Sequence, residues 1–338
     1  MRDVNTPTSA DVASGMQALA RHEIDPTATV TAAWPMPGNA GLSFGCDVVL
    51  GDGSRLPVVI RLAPPGVRRS GNTDVLRIVP LLDALATGGV PVAAVRLSTD
   101  DERWFGTDGV VQDRLDALPL HMADTALSAT VAVPDALEQA VGVLARIHAT
   151  PPPAGWEEPR SLADEVAFWA PMLGKASDPT WAEAGTALHD ALLADLPHAP
   201  DVGIFHGDYH TNNVLYDADG TLAAVVDWEI SGVGAQLLDL AWLAMFTDPG
   251  CWHPDFAARM RVTADAAWLR ERYEKAGGRS TAGFGWFRAL ACYRFGVISV
   301  FNVRLHRTGR RVDATWEDRA LSILPLFERG LAFLREQA

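Results

Sequence analysis

The sequence predicts an α+β protein in two lobes: a small antiparallel sheet with one helix over residues 1–114, then a mainly helical lobe over residues 115–338. Three features lead there. Strand-like runs alternate with turn residues between positions 27 and 62, long stretches of helical spacing begin at Pro134, and a short β passage at 202–228 interrupts the helices. A chain of 338 residues is long enough for two units of ordinary size.

Taken in order, residues 10–21 have amphipathic helical spacing. The runs 29–34, 46–50 and 57–62 are rich in β-formers and separated by turn residues, which predicts three antiparallel strands. Helical spacing over 72–85 ends at Gly88-Gly89, and 90–97 and 109–114 read as two further strands. In 134–149, Leu137, Val141, Leu144 and His148 share one stripe, with Pro134 where a first helical turn tolerates it. A lone His148 on that stripe reads as a core histidine. Further helices are expected at 162–173, 182–193, 236–246, 254–276, 284–306 and 314–335. Inside the β passage, Asp219-Gly220 suits a two-residue hairpin turn. That register pairs Ala218 with Thr221 and sets Asn213 opposite Val226, one residue from Asp227.

Composition excludes several classes. Hydrophobic residues make up 48% of the chain and charged residues 21%, too apolar a mixture for a disordered protein. The net charge of −14 argues against nucleic acid or an anionic membrane as partner. No run of about 18 apolar residues offers a membrane span, and residues 1–26 lack the apolar core of a secretory signal. Cys46, Cys251 and Cys292 lie far apart in sequence and fit neither a zinc site nor a disulfide framework. A soluble, cytoplasmic protein with buried thiols is the expectation.

The chemistry concentrates in His206-Gly-Asp-Tyr-His-Thr-Asn-Asn213, followed after the hairpin by Asp227-Trp-Glu229. An amide oxygen and a carboxylate, here Asn213 and Asp227, are hard ligands suited to Mg²⁺ held together with substrate phosphates. Asp208 is placed to accept a proton from an attacking hydroxyl. The segment resembles the H-G-D-x-x-x-x-N and D-[WFL]-[EDG] pattern of the protein-kinase-like phosphotransferases, in their aminoglycoside phosphotransferase and choline kinase branch. His206, Gly207, Asp208, Asn213 and Asp227 match it position by position. Leu144-Ala-Arg-Ile-His148 is similar to the family's L-x-x-[LI]-H, and Asp239-Leu-Ala241 to its D-L-A helix. The resemblance implies a bilobed kinase-like fold, Asp208 as catalytic base, Asn213 and Asp227 as Mg²⁺ ligands, and ATP or GTP as donor. It also implies that Asp239, in a helix apolar nearly all round, takes its hydrogen bonds from the catalytic-loop backbone, with His206 in structural support.

The first lobe departs from that pattern. Kinases cover the nucleotide phosphates with a glycine-rich turn and reach them with a third-strand lysine paired to a helix glutamate. Gly38 to Gly45, with Ser43, occupies the place of the turn. The chain has only two lysines, Lys175 and Lys275, and no glutamate between Glu23 and Glu102. The third strand therefore offers Arg61, and the helix only Asp74 or Asp83. Arg61 is the candidate phosphate contact, with a planar fork in place of a compact ammonium. The nucleotide base is expected against the linker near Gln112 and Arg114, through backbone groups.

Rival readings fit fewer residues. Gly41-Leu-Ser-Phe-Gly45 matches the serine hydrolase pattern but lacks its strand-to-helix context. His206, Asp208 and His210 as ligands of a hydrolytic metal leave Asn213, Asp227 and Asp239 unexplained. A nucleotide-binding protein with a degenerate kinase fold is suggested by the missing lysine and glutamate, against the retention of base and metal ligands. The expected function is Mg²⁺-dependent transfer of the γ-phosphate to a hydroxyl of a small molecule, an aminoglycoside-type antibiotic by default. A nucleoside antibiotic, macrolide or metabolite alcohol is the alternative acceptor. His210, Glu229, Trp252, Tyr293 and Arg294 are expected along the acceptor's wall.

Overall fold

In the computed structural model, which describes residues 6–36, 42–123, 130–156 and 158–337, two compact units divide the chain. The first comprises Met1–Ala117 and Ala223–Ile230, the second Leu118–Leu222 and Ser231–Ala338.

The first unit opens with helix α1 (Ser9–Glu23), started by a capping box in which Thr8 Oγ accepts the Asp11 N–H and the Asp11 carboxylate accepts the Thr8 N–H. Its stripe of Val12, Met16, Leu19 and Ala20 packs into one core with Phe44, Cys46, Val58 and Ile60. Gly15 permits the approach, because a Cβ there would lie 2.0 Å from the Trp104 carbonyl oxygen. The strands are β1 (Thr29–Pro35), β2 (Leu42–Val49), β3 (Arg55–Leu62), β4 (Val95–Thr99) and β5 (Gly109–Asp113). They form an antiparallel sheet in the order β1-β2-β3-β5-β4. Register sets Ser43 opposite Arg61 on β2 and Val110 opposite it on β5. Positions 37–41 of the glycine-rich stretch lie outside the described residues; Ser43 and Gly45 belong to β2.

Helix α2 (Ile78–Thr87) starts later than the spacing predicts, and α3 (Glu102–Phe105) is a single turn. Side-chain bonds explain the late start. Thr73 donates its hydroxyl to the Arg68 and Ser70 carbonyls, and Asp74 accepts the Arg77 N–H, holding 70–77 in 3₁₀ turns. Val225, from the second stretch of this unit, donates its N–H to Pro91 and bridges Val92.

The second unit contains β6 (Leu118–Pro119), α4 (Val133–Ala149), α5 (Leu162–Leu173), α6 (Pro179–Ala194), β7 (Val202–Phe205), β8 (Val214–Tyr216), the start of β9 (Leu222–Val225) and β10 (Gly232–Ala235). Then come α7 (Leu237–Thr247), α8 (Pro254–Ala257), α9 (Ala266–Lys275), α10 (Phe284–Arg307), α11 (Thr315–Ala320) and α12 (Ile323–Gln337). Helix α10 packs against α5, α6, α7 and α12, and every residue of α7 is buried.

Three further expectations are corrected, the first being the helix over 314–335, which is interrupted at Leu321 and Ser322 between α11 and α12. The hairpin turn holds three residues, because Asp217 rather than Ala218 faces Thr221: its N–H donates to the Thr221 carbonyl, and Gly220 closes the loop at φ +83°. The helix expected over 254–276 breaks into α8 and α9. Arg261 and Val262 donate their N–H groups to the Met122 carbonyl, and Asp265 caps α9 by accepting from Ala267 and Trp268. All three cysteines are buried thiols, yet Cys251 and Cys292 stand 3.9 Å apart. Among the described residues no helix is long and apolar enough to cross a membrane.

Candidate active site

In the second unit, β7 pairs with β10 and delivers the chain to a tight turn at Gly207, φ +84°. The turn is fixed from below by Asp239, which is fully buried in the first turn of α7. Its Oδ2 accepts the His206 N–H at 2.6 Å and its Oδ1 accepts the Gly207 N–H at 2.8 Å. His148 Nε2 lies 3.3 Å from the same carboxylate, and its Nδ1 meets the Tyr273 hydroxyl at 2.6 Å. His148 is thus a satisfied core histidine that links Asp239 to Tyr273.

The turn presents Asp208. Its Oδ1 accepts the indole N–H of Trp242 at 2.9 Å, and its Oδ2 accepts an amide proton of Asn213 at 3.3 Å. His210 Nδ1 accepts the Asn212 N–H, which leaves the proton on Nε2, 3.3 Å from Asp208 Oδ1. Burial alone would push the Asp208 carboxyl up. The neighbouring His210 and His206 and the Trp242 N–H outweigh it and hold the group at about 2. His210 is itself stacked on Phe246, with centroids 4.5 Å apart.

Asn213 is oriented by the same loop. Its amide nitrogen donates to the Asp208 carbonyl at 3.0 Å as well as to the carboxylate, so the amide oxygen has no protein partner among the described residues. Tyr209 and Tyr216 donate their hydroxyls to the α4 carbonyls of Ala140 and Ala136, tying loop and hairpin to that helix.

Within the first unit, Arg61 gathers a separate pair of carboxylates. Arg61 Nη2 donates to Asp227 Oδ1 at 3.1 Å and to Glu229 Oε1. Asp227 has φ +66°, an unusual conformation for a residue with a side chain. The neighbouring Trp228, buried and bonded from Nε1 to the Val225 carbonyl, anchors the turn. Burial pushes the Glu229 carboxyl up and Asp227 adds to that, while Arg61 opposes it.

Several expected site residues are otherwise engaged. Gln112 is buried, with its amide on the Ala93 carbonyl; Arg114 pairs with Asp47 and lies over the Trp34 ring, and its N–H goes to Pro57. Glu229 is buried and meets Arg61. Tyr293 is fully buried beside His189, so it cannot line an open wall. Arg294 is buried between Trp169 and Trp242, about 5 Å from each ring, where it holds the indole that bonds Asp208. Trp252 packs among Phe246, Phe256 and Phe295. Trp242 was missed from sequence. It stands next to the D-L-A match, but an indole donor looks like any core tryptophan until its partner is placed.

Among the described residues, no three His, Cys, Asp or Glu side chains are grouped to hold a metal ion. Comparison with known proteins gives the class. The model of the phosphotransferase enzyme family called APH matches residues 39–284, and the chain belongs to that family. A candidate aminoglycoside phosphotransferase of Ralstonia eutropha JMP134 superposes with a TM-score of 0.76 at 20% identity, covering 95% of this chain and 98% of the other. The aminoglycoside phosphotransferase APH(4)-Ia, in a ternary complex with AMP-PNP and hygromycin B, gives 0.59 at 17% identity, covering 96% and 99%. Both show the shared kinase-like fold. In sequence, the mouse (Mus musculus) acyl-CoA dehydrogenase family member 10 is 26% identical over 196 residues, 55% of this chain; the match spans about a fifth of that protein, 18% of its length.

Asp239→Ala strands two buried N–H donors at about 1–3 kcal/mol each, so urea unfolding should show a loss of roughly 3 kcal/mol. A loss below about 0.5 kcal/mol would contradict the anchoring role. Trp242→Phe keeps a ring but removes one donor from Asp208. With Asp208 as the base, transfer would be lost as pH falls through its pKa of about 2. The variant should therefore move the acid limb of kcat/KM to higher pH and lower kcat about tenfold, the worth of one hydrogen bond to a charge. An unmoved limb would count against the contact.

Proposed function

We propose that the chain is a Mg²⁺-dependent O-phosphotransferase that moves the γ-phosphate of ATP or GTP to a hydroxyl of a small molecule. The observation that carries this is Asp208: an ionised carboxylate held by Trp242, His210 and Asn213 on a loop anchored by Asp239. A group at about 2 is a weak base. It suits a transfer in which the residue orients the acceptor hydroxyl and takes its proton late, as the bond to phosphorus forms.

The donor set fits Mg²⁺. The amide oxygen of Asn213, with no partner among the described residues, and the half-exposed carboxylate of Asp227 are hard oxygen ligands, and two such ligands leave the remaining positions to phosphate oxygens and water. Asn213 and Asp227 would hold the ion, which when bound neutralises charge on the β- and γ-phosphates. Arg61 adds a fixed cation for the same phosphates, with Ser43 its cross-strand neighbour.

The aminoglycoside-type antibiotic is the first acceptor to test, supported by family membership and by the hygromycin B complex of APH(4)-Ia. Nucleoside antibiotics, macrolides and metabolite alcohols follow. The loss of the family's lysine and helix glutamate supports one second reading, a protein that binds nucleotide without turnover.

Nucleotide consumption with Mg·ATP and Mg·GTP over a panel of hydroxylated antibiotics distinguishes these readings. Turnover is expected with at least one acceptor, and Asp208→Asn should bind nucleotide normally while losing about 10²–10⁴ in transfer. Near wild-type turnover in that variant would remove Asp208 from the mechanism, and binding without turnover across the panel would favour the second reading.

A further inference from the structure

Arg61 faces a problem that sequence does not solve. A cation on β3 needs a carboxylate to hold it over the phosphates, yet no glutamate lies between Glu23 and Glu102, and Asp74 is committed to the Arg77 N–H. The carboxylates that meet Arg61 come from the Asp227 turn instead.

Those two contacts are unequal. The Asp227 side chain is 47% exposed and that of Glu229 only 9%, so water competes for the first and is kept from the second. Glu229 Oε2 is buried without a partner among the described residues, which leaves the pair free to close in bidentate form on Glu229 alone. The turn is built to place it. Buried Trp228 locks the backbone, and the left-handed conformation at Asp227 brings side chains 227 and 229 to one guanidinium.

We propose, resting on the phosphotransferase reading, that Glu229 is the positioning residue for Arg61, standing in for the missing helix glutamate and keeping the guanidinium aimed when Asp227 releases it. An arginine is the residue this arrangement needs. Its five donors allow one side of the fork to stay on Glu229 while the others face phosphate, which a single ammonium on one carboxylate does less well.

The test is a binding cycle on the full chain, with Mg·AMP-PNP as probe and calorimetric Kd as readout, for wild type, Arg61→Gln, Glu229→Gln and the double variant. Each single change is expected to weaken binding about tenfold. The double should be no weaker than Arg61→Gln, because Glu229 acts only through Arg61. Losses that multiply to about a hundredfold, as for a direct metal or phosphate ligand, overturn the inference, and so does an unchanged Kd in Glu229→Gln. Should Glu229→Gln fail to fold by its thermal melt, Glu229→Asp carries the same cycle, with the same non-additivity expected and the same multiplication contradicting it. A wild-type chain that does not bind Mg·nucleotide ends the phosphotransferase reading and this inference with it; binding that ignores Glu229 ends this inference alone.

Discussion

One buried carboxylate determines where the chemistry of the second unit sits. Asp239 has no exposure, so its charge must be met inside the protein, and the donors that meet it are the N–H groups of His206 and Gly207. The helix around it is buried at every residue and cannot shift to suit the loop; the loop conforms to the helix. His148, from α4, bonds the same carboxylate and ties it to Tyr273. An apolar helix with one acid in its first turn thereby becomes the floor under the loop of residues 206–213.

On that floor the charge of Asp208, whose side chain is partly exposed, is set largely by its neighbours. Indole, imidazole and amide donors each lower the cost of keeping it ionised while burial raises it, and the donors win. The same contacts fix which way Asn213 turns its oxygen. Orientation of base and metal-ligand candidate is thus one problem with one solution. This agrees with phosphoryl transfer, where positioning and charge neutralisation do most of what a protein can do.

Much of this was legible from residue types and spacing. The order of strands and helices, the loop of residues 206–213 and the need of a buried Asp239 for donors follow from local pattern. What was hidden depends on contacts between distant segments. Arg61 and Glu229 are 168 positions apart, and nothing local to either says that they meet. Trp242 shows its N–H only once Asp208 is placed above it. The 254–276 helix fails because Met122 offers a carbonyl to its middle, and the hairpin differs by one residue because Gly220 takes a left-handed turn position. The side chains of Gln112 and Arg114 bond Ala93 and Asp47, partners far from them in sequence that no local pattern shows.

The central claim is that Asp208 orients an acceptor hydroxyl and never carries the phosphate itself. Transfer of an isotopically chiral γ-thiophosphate from nucleotide to the acceptor found by screening, or to water where that is the acceptor, measures this directly. Direct in-line displacement predicts inversion at phosphorus. Net retention would mean two displacements through a phosphorylated residue, and would contradict the role assigned to the Asp208 loop.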